Sequence, residues 1–172
     1  MKRLLFTMIG VATIGCAANT DPAVNSAVDP AQVVVESLYS SRQCGAADAT
    51  SRATWVSSSA QLQQIMKGVK RRPFGSEPEV SLNVDFDRHI AVFIEMGQRP
   101  TLGYGLVLRD TTATVVQESA EITLEWMTPA RGSMVGQMIT SPCLLLKVER
   151  GNYRALWFKD TQGQRRVHVS RP

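Results

Sequence analysis

A chain of 172 residues has room for one domain of ordinary size with its own core, and little more. Hydrophobic residues at 44% and charged residues at 20% exclude both a disordered acidic tail and a membrane-embedded protein. The net charge of +4 becomes +2, with 17 Lys and Arg against 15 Asp and Glu, once Lys2 and Arg3 are set aside as part of a removed leader, and so small an excess argues against nucleic acid as a partner.

That leader is the first element. Lys2 and Arg3 precede an apolar run from Leu4 to Ile14, closed by Gly15 and Cys16. Eleven residues at ~1.5 Å rise each fall well short of a ~30 Å hydrocarbon core, so residues 1–15 read as a signal peptide and not as a spanning helix. The ending Thr13-Ile14-Gly15-Cys16 resembles a bacterial lipobox, although Leu is more usual where Thr13 stands. The resemblance implies that Cys16 is acylated and holds the protein to a membrane, because several chains anchor stably where one is marginal. An ordinary cleaved signal is the alternative. Ala17 suits sorting to the outer membrane, so a lipid-anchored place in the periplasm is expected. Residues 16–32, rich in Ala, Asn, Asp, Pro and Ser, have no apolar period and are read as a flexible tether ahead of a single domain at 33–172.

Within the domain, Val33 to Tyr39 opens as a β-branched strand. Cys44 and Cys143 are then the only cysteines left, and in an oxidising compartment they are expected to pair. Leu62, Ile65, Met66 and Val69 fall at i, i+3, i+4 and i+7, which predicts a helix from about Ser59 to Lys67. Ser58, followed by Gln61, supplies its cap, and Gly68 its stop. The cations Lys67, Lys70, Arg71 and Arg72 favour its carboxyl end and read as a solvated turn. Val80, Leu82, Val84 and Phe86 alternate as a strand would, and Ile90 to Ile94 suits a strand buried on both faces. Further strands are predicted at Tyr104–Arg109, Ala113–Glu118, Glu121–Met127, Cys143–Glu149, Tyr153–Lys159 and Arg165–Val169. Short strands with tight turns predict antiparallel pairing, hence a mainly β protein: a small antiparallel β-sandwich or half-open barrel with the one helix over an open end or edge.

Catalytic signatures are missing. The chain has no G-x-S-x-G elbow, phosphate loop, dinucleotide fingerprint or zinc-protease helix, and no C-x-x-C or H-x-x-x-H spacing, so neither cofactor nor metal is expected. His89 and His168 are the two histidines. Asp85, Asp87 and His89 would share one face of a strand and could act as acid and base, or they are simply the polar entry to the apolar run that follows. Glu118, Glu121 and Glu125 could likewise pair, with nothing to place a third carboxylate near the other two. The expectation is a protein that is not an enzyme.

The distinctive segment is Gly97-Gln98-Arg99-Pro100-Thr101-Leu102-Gly103-Tyr104-Gly105, lying between two strands. Three glycines and a proline give it backbone options that ordinary residues lack, so it can hold polar backbone and the Tyr104 ring at the rim of a sheet; a plain hairpin with Tyr104 packed inward is the alternative. This loop, with Val84-Asp85-Phe86 and Glu95-Met96-Gly97 before it and Gln137 to Cys143 after it, resembles the carboxy-terminal domain of the PrcB-like family, bacterial lipoproteins that stabilise a protease complex. The resemblance spans about residues 80–160. It implies a non-catalytic exported protein that binds and stabilises a protease complex. With the loop's composition and the missing catalytic groups, this leads to the expectation that Arg99, Pro100, Thr101, Leu102, Gly103 and Tyr104, with the neighbouring segment Pro129 to Pro142, contact a protein, an exported protease above all. Two positions depart from the family: Leu102 stands where glycine is frequent, and Cys143 where an aromatic is, the latter in keeping with a bridge to Cys44. The loop also resembles that of the chagasin-like inhibitors of cysteine proteases, which implies direct inhibition as the alternative.

Overall fold

The computed structural model describes residues 31–69 and 82–172, and strand dominates these, at 48% against 8% helix. The signal peptide, the lipidation site at Cys16, most of the tether, Lys70 to Arg72 and Val80 lie outside those residues. Nine strands and one helix follow in the order β1 (Gln32–Ser41), β2 (Arg52–Val56), α1 (Ser59–Gly68), β3 (His89–Glu95), β4 (Gly105–Leu108), β5 (Thr112–Val116), β6 (Ser119–Met127), β7 (Cys143–Glu149), β8 (Ala155–Lys159) and β9 (Arg165–Ser170) among the described residues. They form one sheet in the order β2-β3-β7-β1-β5-β6-β8-β9, with β4 beside the carboxyl half of β6. The two ends of that order, β2 and β9, come side by side, so the sheet curls into a nearly closed barrel. The mainly β class is present, and of the two architectures expected, sandwich or half-open barrel, the sheet takes the barrel form and closes further than half.

Side-chain period two explains the interior. Ile122 and Leu124 of β6, Leu156 and Phe158 of β8, and Val33 and Val35 of β1 point into the barrel and are almost fully buried. β3 and β7 do not alternate, because both of their faces are covered. Ile90, Val92 and Ile94 face the barrel core, whereas Ala91 and Phe93 face a second, outer layer with Leu145 of β7. β7, Cys-Leu-Leu-Leu-Lys-Val-Glu, is rich in residues that also suit helices, and its seven-residue register against β3 decides the matter.

Helix α1 builds that outer layer. Ser58 Oγ accepts from the Gln61 N–H at 3.3 Å, and Gln61 Oε1 accepts from the Ser57 N–H at 2.9 Å, so the first turn is capped from both sides. Leu62 and Val69, with Ile65 and Met66, then pack on Val56, Phe93 and Leu145. The helix therefore covers a face of the sheet and not an open end, because β3 and β7 are apolar on both sides and the second side must be dried. The Cys44–Cys143 disulfide, with Cα atoms 5.9 Å apart, ties the segment after β1 to the first residue of β7 beside this layer.

Two further expectations change. β6 and β8 pair in parallel, from Ser119 opposite Ala155 to Thr123 opposite Lys159, while the other strand pairs are antiparallel. The long crossover a parallel pair requires is supplied by β7, which sits between β3 and β1. The alternating stretch through Leu82, Val84 and Phe86 is not a strand in its described part. Both neighbours of β3 are already taken, so Val84 instead buries itself in the outer layer, and Asp85 closes a turn whose carbonyl accepts from the Arg88 and His89 N–H groups. β2, unmarked in the sequence, occupies the open side of β3.

Candidate functional site

Three pairs of strands deliver three loops to one end of the barrel: β1 and β2 the connection after β1, β3 and β4 the glycine-rich loop, and β6 and β7 the long segment between them. Gly97 starts the second. Its φ of +82° belongs to the left-handed region, and a methyl group there would come within 2.5 Å of the Ala49 carbonyl carbon, so backbone meets backbone at van der Waals limits. Gln98 locks this approach. Its N–H donates to the Asp48 carbonyl at 2.7 Å, and its Nε2 to the Ala46 and Ala47 carbonyls at 2.9 and 3.2 Å.

Arg99 turns inward as a brace. Its guanidinium donates to the Ala49 and Gln98 carbonyls, both at 3.3 Å, to Ser51 Oγ at 3.2 Å and to the Met96 carbonyl. Its backbone exchanges two 2.8 Å hydrogen bonds with buried Thr140, whose hydroxyl donates to the Thr101 carbonyl at 3.0 Å. The Leu102 N–H donates to the Gly136 carbonyl at 3.0 Å, and Gly103 lies against the Pro129 ring. Ser141 Oγ accepts from the Cys44 and Gly45 N–H groups at 2.9 and 2.7 Å, which joins the first and third loops beside the disulfide. On the first loop, hydrogen bonds from the Arg52 guanidinium and then from the Thr50 N–H pull the Asp48 carboxyl down to about 2.

Of the six residues singled out in the glycine-rich loop, Pro100 is exposed and the other five are half-buried. Tyr104 packs against the barrel core and also lines a cleft of about 350 Å³ with Met96, Arg99, Pro100, Trp126 and Arg166. Beside this cleft the third loop exposes apolar side chains: Met134 fully, Ile139 at 65% and Met138 at 48%, with Met127 at the end of β6. Met134, Met138 and Ile139 fall within the Pro129 to Pro142 segment expected to contact a partner, whereas Met127 and Trp126 did not stand out in the sequence. The available signal was three methionines within twelve residues, two of them between strands, where no core position calls for them.

The catalytic alternatives disperse. Asp85 Oδ1 accepts from the Asp87 N–H, and His89 Nδ1 lies 3.2 Å from the Asp85 carbonyl oxygen, so this cluster is turn chemistry. His168 of β9 stacks on Trp157 of β8, with ring centroids 4.5 Å apart. Glu118, Glu121 and Glu125 pair with separate cations: Arg154, then Arg165 and Lys159, and Arg109. Hydrogen bonds from Arg165 and then Lys159 hold the Glu121 carboxyl below its ordinary value. No group of three or more potential metal ligands forms among the described residues.

Fold and rim together define a class of protein: a small β-barrel scaffold whose loops are braced into one continuous end surface. The family described as PrcB C-terminal matches residues 90–149, from β3 through β7, which supports assignment to the PrcB-like family. The matched stretch contains the glycine-rich loop and the methionine-bearing segment. That family consists of protease-associated accessory domains, and the match points to a protease-complex-associated role. No curated protein and no solved structure matches the chain.

Proposed function

We propose that the protein is a non-catalytic, lipid-anchored module of the periplasm, acylated at Cys16 and seated at the outer membrane, whose rim binds and stabilises an exported protease complex. The observation that carries this reading is an exposed apolar group, Met134, Met138 and Ile139, displayed beside a loop that is rigidly braced at Gln98 and Arg99. Exposed apolar groups clustered on one surface mark interaction sites, and methionine adapts its shape to a partner more readily than branched residues do. Bracing lowers the conformational entropy that binding would otherwise cost.

Cross-linking in intact cells, with identification of the captured proteins, tests the proposal. Wild-type protein should trap a protease. The Met134→Glu/Ile139→Glu variant should fold normally, since both side chains are exposed, and trap at least tenfold less. Tyr104→Ala should weaken capture as well. Equal capture by all three proteins would overturn the assignment of the rim. The mass of the mature amino-terminal peptide tests the anchor separately, for acylation at Cys16 adds the mass of its chains.

A further inference from the structure

The cleft beside Tyr104 carries more specific information about the partner, and the inference from it rests on the protein-binding reading above. Its wall contains Ser51, Met96, Pro100, Tyr104, Trp126 and Thr128, together with two guanidinium groups, Arg99 and Arg166, and no carboxylate. The two cations differ. Arg166 bonds the buried Asp160 carboxylate at 2.7 and 2.8 Å and is neutralised there. Arg99 donates to three carbonyls and a hydroxyl, all neutral, and no ion pair engages it among the described residues. Its charge is held in place, half-buried and uncompensated, where it is screened less than a charge in open solvent. Next to it the floor is apolar and aromatic, from Met96, Tyr104 and Trp126. The indole N–H of Trp126 is moreover buried without a hydrogen-bond partner, alone in this among the buried side-chain polar atoms of the described residues. A volume of about 350 Å³ is near the lower end of small-ligand sites, typically ~300–1,000 Å³, which suits one residue better than a run of chain.

We infer that this cleft recognises a carboxylate next to a large apolar side chain on a partner polypeptide, with Arg99 as the charge that selects it and Tyr104 and Trp126 as the apolar floor. Two sources offer that chemistry, the free carboxyl end of a chain and an acidic side chain beside an apolar residue. Four of the five Arg99 N–H donors are spent on the brace, so what favours a carboxylate over an amide is the uncompensated charge together with the remaining Nε–H, whose charge-assisted hydrogen bond is roughly twice as strong as a neutral one. The brace around Arg99 therefore has a second consequence: it presents an unpaired positive charge in a fixed direction.

Three fluorescein-labelled pentapeptides test the inference against the full chain by fluorescence anisotropy. One is four alanines followed by phenylalanine as the free acid, one is its carboxyl-terminal amide, and one is the amide with glutamate replacing the fourth alanine. The free acid should bind at least tenfold more tightly than the plain amide, and added salt should shrink that ratio. If the glutamate peptide recovers the affinity, the side-chain source is the one in use; if it does not, the chain end is. Arg99→Lys keeps the charge but loses at least part of the four-bond brace, so its unfolding midpoint should fall by several degrees; compared well below that midpoint, where the variant is folded, the acid-to-amide ratio should still be cut. Equal binding by all three peptides, or binding by none, would overturn the inference. Capture of a protease that still depends on Met134 and Ile139 would then leave the parent reading standing, whereas capture indifferent to those residues would remove the parent reading itself.

Discussion

Gly97→Ala, measured beside Gly132→Ala, tests whether the rim is braced as described. Both glycines have φ near +80°, at +82° and +80°, so alanine meets the same backbone penalty of about 1 kcal/mol at either place. Their surroundings differ. Nothing lies within 4 Å of a methyl group on Gly132, whereas at Gly97 that group meets the Ala49 carbonyl carbon at 2.5 Å, its oxygen at 2.6 Å and the Thr50 carbonyl oxygen at 2.8 Å. These are backbone atoms, so relief requires the loop after β1 to move away as a unit. At least three bonds then open, Gln98 N–H to Asp48, Gln98 Nε2 to Ala46, and Arg99 to Ala49, with the longer Gln98 Nε2 bond to Ala47 beside them. At about 1 kcal/mol each they add about 3 kcal/mol to the conformational term. Gly132→Ala should thus cost about 1 kcal/mol and Gly97→Ala about 4 kcal/mol. For a protein of this size the difference corresponds to a gap of roughly 6–12 °C in Tm. Thermal and urea unfolding of the two variants with wild type measures it directly. Equal losses in the two variants would refute the brace.

Three further outcomes are expected. Replacing Cys44 and Cys143 together with Ser frees a loop closed over a separation of 99 residues, and should cost up to ~4.7 kcal/mol in urea unfolding, a loss that reductant reproduces in the wild type. Acid should destabilise the fold through Asp48, Glu121 and Asp160. Burial works against the charged form of Asp160, but the Gln164 N–H, the Arg166 guanidinium and the Gln162 N–H outweigh it, so all three carboxyls sit below their ordinary values of 3.8 for Asp and 4.5 for Glu. A depressed folded-state value stabilises fully above the unfolded value and is lost as pH falls through the folded one; urea midpoints should therefore drop from about pH 4 down to about 2, less steeply in Asp160→Asn. Gln117 and Glu118, at φ +49° and +61°, form the β5–β6 turn in conformations that suit Asn and Gly. Gln117→Asn/Glu118→Gly should raise stability by about 1 kcal/mol, since the exposed Glu118–Arg154 pair contributes little; a loss would show that the turn is not strained.

Local signals carried most of the fold. The α1 stripe at Leu62, Ile65, Met66 and Val69 and the Ser58 cap lie within a dozen residues, and the uninterrupted apolar runs of β3 and β7 announce burial on both faces. What escaped depends on distant partners. β2 is Arg-Ala-Thr-Trp-Val, too short and too mixed to show a period, and it becomes a strand because β3 offers it an edge. The parallel pairing of β6 with β8 follows from where β7 goes, which no neighbouring residue records. The same holds at the rim. The glycines and proline from Gly97 to Gly105 mark an unusual loop, but the inward course of Arg99 depends on Ala49 and Ser51, some fifty residues earlier. The cleft adds Trp126 and Arg166 from strands whose proximity only the closed sheet creates.

The path of β1 sets the polarity of the molecule. Its first residues pair beside the β5–β6 hairpin, and its last residue, Ser41, pairs with Cys143 at the loop-bearing end, ten residues and roughly 30 Å later. Whatever precedes Gln32 is therefore fastened to the opposite pole. Under the anchoring proposed at Cys16, the loop-bearing end is thus the pole farther from the point of attachment.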